Sequence, residues 1–384
     1  MKFFLHNRLV HCLLATAVLG NANPQTLREA ALTRNMLVSA AVRPSLFSEA
    51  AYSATLSHEF NMVEAEDAMK WWTVRHTAGA FDFREGDQLI QFALAHRMKV
   101  RGHCLVWDHN NPDWLAQGHF TSTQLSQLLQ EHIATVMKHY SGQVFAWDVV
   151  NEALDENGHV KNSPWYNQPG IGLSDKGTAY IEQAFRWAHA ADQQALLFYN
   201  EAEGEGMNRK SDAIYAMVKD FKHRGVPIDG VGLQMHVSQP DLDTAPIAAN
   251  IARLTALGLQ VHITELDVSL PLDSSGQAQR SDLLRQAEVY RAIVRACLQN
   301  PGCTAIQTWG FTDKYSWVGS HSHGTRGAAL PFDRTYKPKP AYDAILEEIS
   351  AQSPAGSKHN AATSPITERC RSPRMHRTSP PLHL

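Results

Sequence analysis

Two glutamates have the residue type and the sequence setting for acid–base and nucleophilic chemistry. Glu152 ends the segment Trp-Asp-Val-Val-Asn-Glu, and Glu265 lies within His-Ile-Thr-Glu-Leu-Asp. Cleavage of a glycosidic bond needs two facing carboxyl groups, one to protonate the leaving oxygen and one to attack the anomeric carbon or activate water. A lone glutamate is more often a surface residue, but two at the ends of predicted strands favour this chemistry.

Further polar and aromatic side chains are predicted to surround the two glutamates. His236 can face Glu265 with one imidazole nitrogen and donate to Asp267 with the other, which would hold the nucleophile in place. A sugar site also needs aromatic rings for the flat apolar faces and hydrogen-bonding groups for the hydroxyls. The candidates for stacking are Trp107, Trp309 and Trp317, and the candidates for bonding hydroxyls are Glu66, Lys70, His103 and Gln234.

Strands and helices are predicted to alternate along most of the chain. Near-continuous apolar runs predict strands at 36–42, 59–64, 99–107, 144–152, 195–200, 230–236, 260–267 and 305–310. Amphipathic patterns predict helices at 87–96, 123–139, 180–191, 210–224, 247–257, 282–298 and 341–349. This alternation is typical of a parallel sheet that is covered by helices. Eight units in about 320 residues predict an α/β fold with a single (β/α)8 TIM barrel.

The candidate site residues are not scattered along these elements. They cluster where the predicted strands end, and the carboxyl ends of barrel strands form the active-site face. Strands four and seven, which carry Glu152 and Glu265, lie on opposite sides of a closed barrel, so their tips can face each other. The placement is the strongest sign from the residues alone that this chain is an enzyme.

Composition and charge exclude several other classes of function. The chain has 384 residues, a net charge of −3, 43% hydrophobic and 19% charged residues, as in an ordinary globular protein. No basic surface is indicated, so no nucleic-acid partner is expected. No P-loop or Rossmann fingerprint is present, and no cofactor is expected. His321 and His323 are weak candidates for a metal, so no metal is expected.

Both ends of the chain differ from the middle. Residues 1–22 combine Lys2 and Arg8, a short apolar run and the small residues Gly20 and Ala22, which predicts a signal peptide and a secreted or periplasmic protein. No stretch is long enough to span a membrane. Residues 351–384 lack apolar periodicity and are predicted to be a disordered tail. The catalytic domain is therefore predicted at 23–350, and we expect a monomer.

Three cysteines of the predicted domain can be interpreted. Cys297 and Cys303 are close in sequence around a Gln-Asn-Pro-Gly turn, and in an oxidising compartment such a pair can form a disulfide. Cys104 lies in a predicted strand and is expected to be a buried free thiol.

Ordered segments of the chain resemble family 10 glycoside hydrolases, the endo-β-1,4-xylanases. Residues 147–152 and 263–267 resemble the two catalytic signatures of that family. The resemblance continues through residues 68–71, 101–107, 232–236 and 308–317, in the family's order. It covers roughly residues 27–348, and so many ordered motifs make coincidence a poor explanation.

The resemblance implies a retaining mechanism on xylan and xylo-oligosaccharides, with Glu265 as nucleophile and Glu152 as acid/base. It also places a histidine beside the nucleophile, in agreement with His236, and implies that Asn151 binds the sugar 2-hydroxyl. In a retaining pair the carboxyl groups lie about 5–5.5 Å apart. We therefore expect the negative charge of Glu265 to raise the pKa of Glu152 and keep it protonated.

Two positions depart from the family pattern. Asp67 stands where the family usually has asparagine, which keeps an acceptor in the expected sugar site but removes an amide donor. Ala202 stands where a tyrosine is often found, which affects the expected contacts with the leaving-group sugars.

Two alternatives remain open at this point. Another retaining barrel glycosidase, such as a cellulase or a mannanase, would use the same pair of glutamates. A non-catalytic carbohydrate-binding barrel would share the fold, although the presence of both Glu152 and Glu265 argues against it.

Overall fold

A computed structural model describes residues 26–238 and 241–351. The predicted signal peptide lies outside the described residues, as does the predicted tail apart from Ala351. Among the described helices, none combines the length and apolar character that a membrane span requires.

Eight parallel strands form a closed barrel. They are Leu37–Val42, Met62–Ala65, Lys99–Val106, Ala146–Asn151, Leu196–Glu201, Gly230–Leu233, Gln260–Val268 and Cys303–Thr308, numbered first to eighth below. Each strand pairs with the next, and the eighth pairs with both the seventh and the first. The register between Leu37 and Ala305 closes the ring. The predicted (β/α)8 TIM barrel is therefore confirmed.

Helices cover the outside of the barrel, and the seven predicted helices are present within a few residues of their predicted bounds. They are Arg84–Ala95, Ser122–His139, Ala179–Ala191, Arg209–His223, Ala245–Thr255, Arg280–Leu298 and Pro340–Ser350. Five helices were not predicted: Leu27–Thr33, Ala50–Glu59, Trp71–Val74, Asp113–Ala116 and Val318–His321. Three of these have only four residues, which is too short for helical periodicity to be seen in the sequence.

Two predicted strands differ from the structure by three residues at one end, for separate reasons. Glu59 ends the helix Ala50–Glu59 and accepts a hydrogen bond from the backbone of Leu27, so the second strand starts later than predicted. The sixth strand ends at Leu233 because Met235 has a positive φ of 70°, which is incompatible with an extended strand. The chain then pairs His236 with Asp267 in a short separate strand.

The barrel interior contains a buried layer of charged side chains below the strand ends. Arg101 donates hydrogen bonds to Asp148 and lies 3.6 Å from Glu64, and all three side chains are fully buried. Burial, helped by the charge of Asp148, raises the pKa of Glu64 to about 8. Glu64, His103 and Asp148 are close enough together for a metal ion. The guanidinium of Arg101 already supplies their counter-charge.

A disulfide fixes the approach to the eighth strand. Cys297, in the last turn of Arg280–Leu298, is bonded to Cys303, the first residue of the strand, with 5.3 Å between their Cα atoms. The predicted disulfide is thus present. Cys104 is a buried free cysteine, as predicted.

Candidate active site

Hydrogen bonds link the two glutamates across four consecutive strand ends. Asn200 donates to Glu265 Oε1 at 2.8 Å and to Asn151 Oδ1 at 2.9 Å. Gln234 donates to Glu152 Oε1 at 2.8 Å and to Asn151 Oδ1 at 3.3 Å. The two carboxylates therefore lie three strands apart around the ring but belong to one polar network. No described residue accepts a hydrogen bond from Nδ2 of Asn151, which leaves that donor for a ligand.

Glu265 sits in a rigid setting built from strand ends. Its side chain is only 6% exposed, and its second oxygen lies 3.1 Å from His236 Nε2. His236 Nδ1 lies 3.0 Å from Asp267 Oδ2, which also accepts a hydrogen bond of 2.7 Å from Trp317 Nε1. The arrangement expected from the sequence, with His236 between Asp267 and Glu265, is the one observed.

His236 carries a positive charge in this arrangement. Burial disfavours the imidazolium, but the carboxylates of Asp267 and Glu265 outweigh burial and raise the pKa of His236 to about 10. Because a raised pKa means that the proton is retained below it, His236 stays protonated throughout the neutral range. Glu265 thus faces a cation on one side and a neutral amide donor, Asn200, on the other.

Glu152 is positioned by an unusual backbone conformation. It follows the fourth strand with a positive φ of 52°, in the left-handed region that non-glycine residues rarely adopt. Its backbone N–H donates to the carbonyl of Asn200 at 3.0 Å, which ties the turn to the fifth strand. Such conformations cost of order 1–3 kcal/mol and tend to occur at functional sites.

The pKa of Glu152 is lower than usual, contrary to the prediction from sequence. Burial raises it, but hydrogen bonds from Gln234 and Trp107 and the positive charges of Lys161 and His103 together outweigh burial. Trp107 Nε1 donates to Glu152 Oε2 at 3.1 Å. The predicted increase was wrong because it considered only Glu265 and not the hydrogen-bond donors and positive charges around Glu152.

Both glutamates open into a cavity of about 500 Å³ at the strand ends. Ten of the thirteen predicted catalytic and substrate-binding residues line it: Lys70, His103, Trp107, Asn151, Glu152, Gln234, His236, Glu265, Trp309 and Trp317. The ammonium of Lys70 lies 5.0 Å from the ring centre of Trp107 and 5.5 Å from that of Trp309. A cation and flat aromatic faces are thus presented to the same space.

Three predicted residues do not line this cavity. Asp267 lies behind His236, with its Oδ2 atom 3.0 Å from His236 Nδ1. Glu66 is instead paired with Arg43 at 2.6 Å. Asp67 is half-exposed and lies 3.1 Å from the ammonium of Lys70, so its carboxylate contacts the site through that lysine.

Several residues of the site were not assigned a catalytic or substrate-binding role from the sequence. Lys161, Glu201, Ala202, Glu203, Lys210 and His321 also line the cavity, and Asn200 donates to Glu265. Glu201 and Lys210 form a buried ion pair of 2.9 Å. Asn200 and Glu201 lie at a strand end, where their polarity was a usable signal. Lys161 lies in the loop after the fourth strand, where neither spacing nor periodicity marks it.

Comparisons with known proteins agree with this geometry. The chain matches the model of glycosyl hydrolase family 10 over residues 26–348. It is 42% identical over 296 residues to endo-1,4-beta-xylanase B of Thermotoga neapolitana, which covers 77% of this chain and 82% of that protein.

Solved structures give the same result. Native xylanase 10B from Thermotoga maritima has a TM-score of 0.79 and 40% identity, covering 84% of this chain and 98% of that one. Xylanase 10B from Thermotoga petrophila in complex with xylobiose has a TM-score of 0.80 and 38% identity, covering 86% of this chain and 100% of that one. The chain therefore belongs to glycosyl hydrolase family 10.

Proposed function

We propose that this chain is a retaining endo-1,4-β-xylanase in which Glu265 is the nucleophile and Glu152 is the acid/base. The observation that carries the proposal is the pair of strand-end carboxylates in one cavity, joined through Asn151, Asn200 and Gln234. The substrate assignment is supported by relatives named as xylanases and by the relative solved with xylobiose.

The first step breaks the glycosidic bond. The carboxylate of Glu265 attacks the anomeric carbon, and the bond to the leaving oxygen breaks as Glu152 gives that oxygen its proton. The leaving sugar departs with a new hydroxyl group, and an ester joins Glu265 to the remaining sugar. In the second step Glu152 removes a proton from water, which attacks the same carbon and releases Glu265. Two inversions preserve the anomeric configuration.

The asymmetry between the two glutamates supports this division of roles. A nucleophile must be ionised and held still, and the contacts of Glu265 with His236 and Asn200 suit that task. Glu152 must exchange a proton. Three separate groups, Gln234, Trp107 and Lys161, lower its pKa. Substrate that excludes water from Glu152 would raise its pKa by further desolvation and allow it to act as an acid.

The remaining cavity residues are proposed to bind xylose units. Trp107, Trp309 and Trp317 offer faces for the sugar rings, and Asn151 has a free amide donor for the 2-hydroxyl. Lys70, His103 and Gln234 are within the cavity and can bond hydroxyls. Glu66 and Asp67 would act at the margin, Asp67 by way of its contact with Lys70.

We also propose that the protein is exported from the cytoplasm. We propose that residues 1–22 are a signal peptide, that residues 23–350 form the catalytic domain of a secreted or periplasmic monomer, and that residues 351–384 are a dispensable tail. The disulfide between Cys297 and Cys303 supports an oxidising compartment. Sequencing the exported protein from its N-terminus tests the first of these, with Asn23 expected as the first residue.

The substrate and stereochemistry can be tested together. Rates of reducing-end release should be highest on xylan, compared with carboxymethylcellulose and mannan. Proton NMR of the first products should show the β-anomer before mutarotation. Faster release from either other polymer would contradict the substrate assignment, and an initial α-anomer would contradict retention.

A further inference from the structure

Trp72 stands apart from the other exposed hydrophobic side chains. Among the described residues, the large exposed hydrophobics are Leu32, Leu94, Met207, Leu284 and Trp72, and Trp72 is the only aromatic one. The residue is 41% exposed, although burying an indole is favourable. Scattered exposed aliphatic residues need no explanation. An exposed indole differs from them because it offers a large flat apolar face together with a polar N–H, the combination that enriches Trp at interfaces.

The backbone that carries Trp72 is held firmly. Its N–H donates to the carbonyl of Asn110 at 3.1 Å. The preceding residue, Trp71, is buried, stacks on His132 at 3.6 Å between ring centres and donates to the carbonyl of Leu105. The ring of His76 meets Trp72 edge-on at 4.7 Å. The indole is therefore presented on a rigid base, which reduces the entropy lost when a ligand stacks on it.

A recess of about 480 Å³ lies against this indole. Polar side chains line the rest of it, among them His76, Asp82, Arg84, Glu85 and Gln88. Arg84 and Asp82 are paired with each other at 2.5 Å, so with Glu85 the recess has two carboxylates to one guanidinium. A recess with an excess negative charge disfavours phosphates and other anions. One flat apolar face with hydroxyl, amide and carboxylate neighbours suits a neutral polyol.

The residues that hold Trp72 are close in sequence to residues that line the cavity of the candidate active site. Trp72 lies two residues after Lys70, whose ammonium is over the ring of Trp107. Asn110, which binds the backbone of Trp72, lies three residues after Trp107. Both segments that hold Trp72 therefore begin at residues that line the cavity, Lys70 and Trp107.

We propose that Trp72 and this recess form a second binding site for a neutral β-1,4-linked xylose chain, outside the catalytic cavity. The proposal rests on the proposed xylanase function for the identity of the polymer. The site would hold either a continuation of the chain in the cavity or a neighbouring chain of the same polysaccharide. In both cases it raises the affinity for polymeric substrate without contacting the reacting bond.

Binding to insoluble xylan tests the site, in a Glu265→Ala background that does not consume the polymer. Trp72→Ala should weaken binding roughly three- to tenfold, the size expected for one aromatic stacking contact. Trp72→Phe should retain most of the affinity, because it keeps a flat ring. Leu94→Ala, an exposed hydrophobic change on the helix that walls the recess, should leave binding unchanged. The loss should persist in high salt, since it does not depend on charge.

Kinetics in the active protein separate this proposal from the proposed function. Trp72→Ala should hydrolyse an aryl xylobioside at the wild-type rate and lose activity on long xylan. A loss that begins with xylohexaose identifies a continuing chain, and a loss confined to the polymer identifies a neighbouring chain. If wild-type protein cuts xylan but Trp72→Ala binds and cuts insoluble xylan equally well, the second site is refuted. If wild-type protein does not cut xylan, it is the proposed function that fails.

Discussion

The surroundings of Glu265 and those of Glu152 differ in how they are built. Every contact of Glu265 named above comes from a strand end or the residue beside it. The side chains of Asp267, His236, Glu265 and Asn200 contact one another in that order. Glu152 depends on a left-handed backbone turn and on a loop lysine, Lys161. A barrel can thus fix one carboxylate rigidly and leave the other adjustable, which is what a nucleophile and a proton-transfer group respectively require.

The largest effect is expected from removing the fixed carboxylate. Glu265→Ala should reduce the kcat of xylan hydrolysis by about four or more powers of ten, because no other group can form the covalent intermediate. The melting temperature should show that the variant is folded. A folded variant with near-normal xylan hydrolysis would remove Glu265 from the mechanism.

The support behind Glu265 should matter less than the carboxylate itself. His236→Asn should reduce kcat about a hundredfold with little change in KM, since a misplaced nucleophile slows the reaction more than binding. Asp267→Asn should give a smaller change of the same kind. With a pKa of about 10, His236 loses its proton only as the pH rises through that value, so no limb from it should appear near pH 6.5. A large change in KM alone would indicate a binding role instead.

Gly232 tests whether the position of Asn200 is critical. A Cβ atom at Gly232 would lie 2.2 Å from Asn200 Oδ1 and 2.9 Å from Thr264, so Asn200 would have to move. Gly232→Ala should therefore reduce kcat about tenfold, since even small displacements of catalytic groups are costly. The control is Gly319→Ala, which adds a Cβ in open space and should leave kcat unchanged. Gly258→Ala would not serve, because Gly258 has a positive φ that an alanine would strain. Unchanged kcat in Gly232→Ala would mean that Asn200 is not needed in this position.

The smallest effect is expected from changing Lys161, which lies near Glu152. Lys161 helps to lower the pKa of Glu152, so Lys161→Ala should raise that pKa. Because Glu152 must be protonated for the first step, the alkaline limb of kcat/KM should then move to higher pH, by a few tenths of a unit. Lys176→Ala, a change in an exposed lysine that does not line the cavity, serves as the control. A limb that stays in place would show that Lys161 does not tune Glu152.

The sequence predicted those features that follow from the barrel itself. The order of the strands placed Glu152, His236, Glu265 and Asp267 at one face, and buried apolar runs located all eight strands. It did not predict the left-handed turn at Met235, which ends the sixth strand early and pairs His236 with Asp267. A single dihedral angle of a non-glycine residue leaves no periodic signal.

The sequence also did not predict how charged and polar residues distant in the chain affect one another. The sign of the pKa shift of Glu152 depends on Gln234, which is far from it in sequence, and on Lys161, which lies in a loop. Likewise, Glu66 was expected in the sugar site, but Arg43 pairs with it. Such competition between partners is decided by tertiary contacts, not by the type of a residue.

Glu152 and Glu265 are proposed to have separate roles, and the variant Glu152→Ala distinguishes those roles. The leaving oxygen of xylan needs a proton, whereas a nitrophenolate-type leaving group hardly does. The variant should therefore lose nearly all xylan hydrolysis but react rapidly once with an activated aryl xylobioside, giving a burst followed by slow turnover. Azide, which needs no general base, should restore turnover and yield a β-glycosyl azide. Equal slowing on both substrates, without a burst or an azide product, would contradict the assignment of Glu152 as the acid/base.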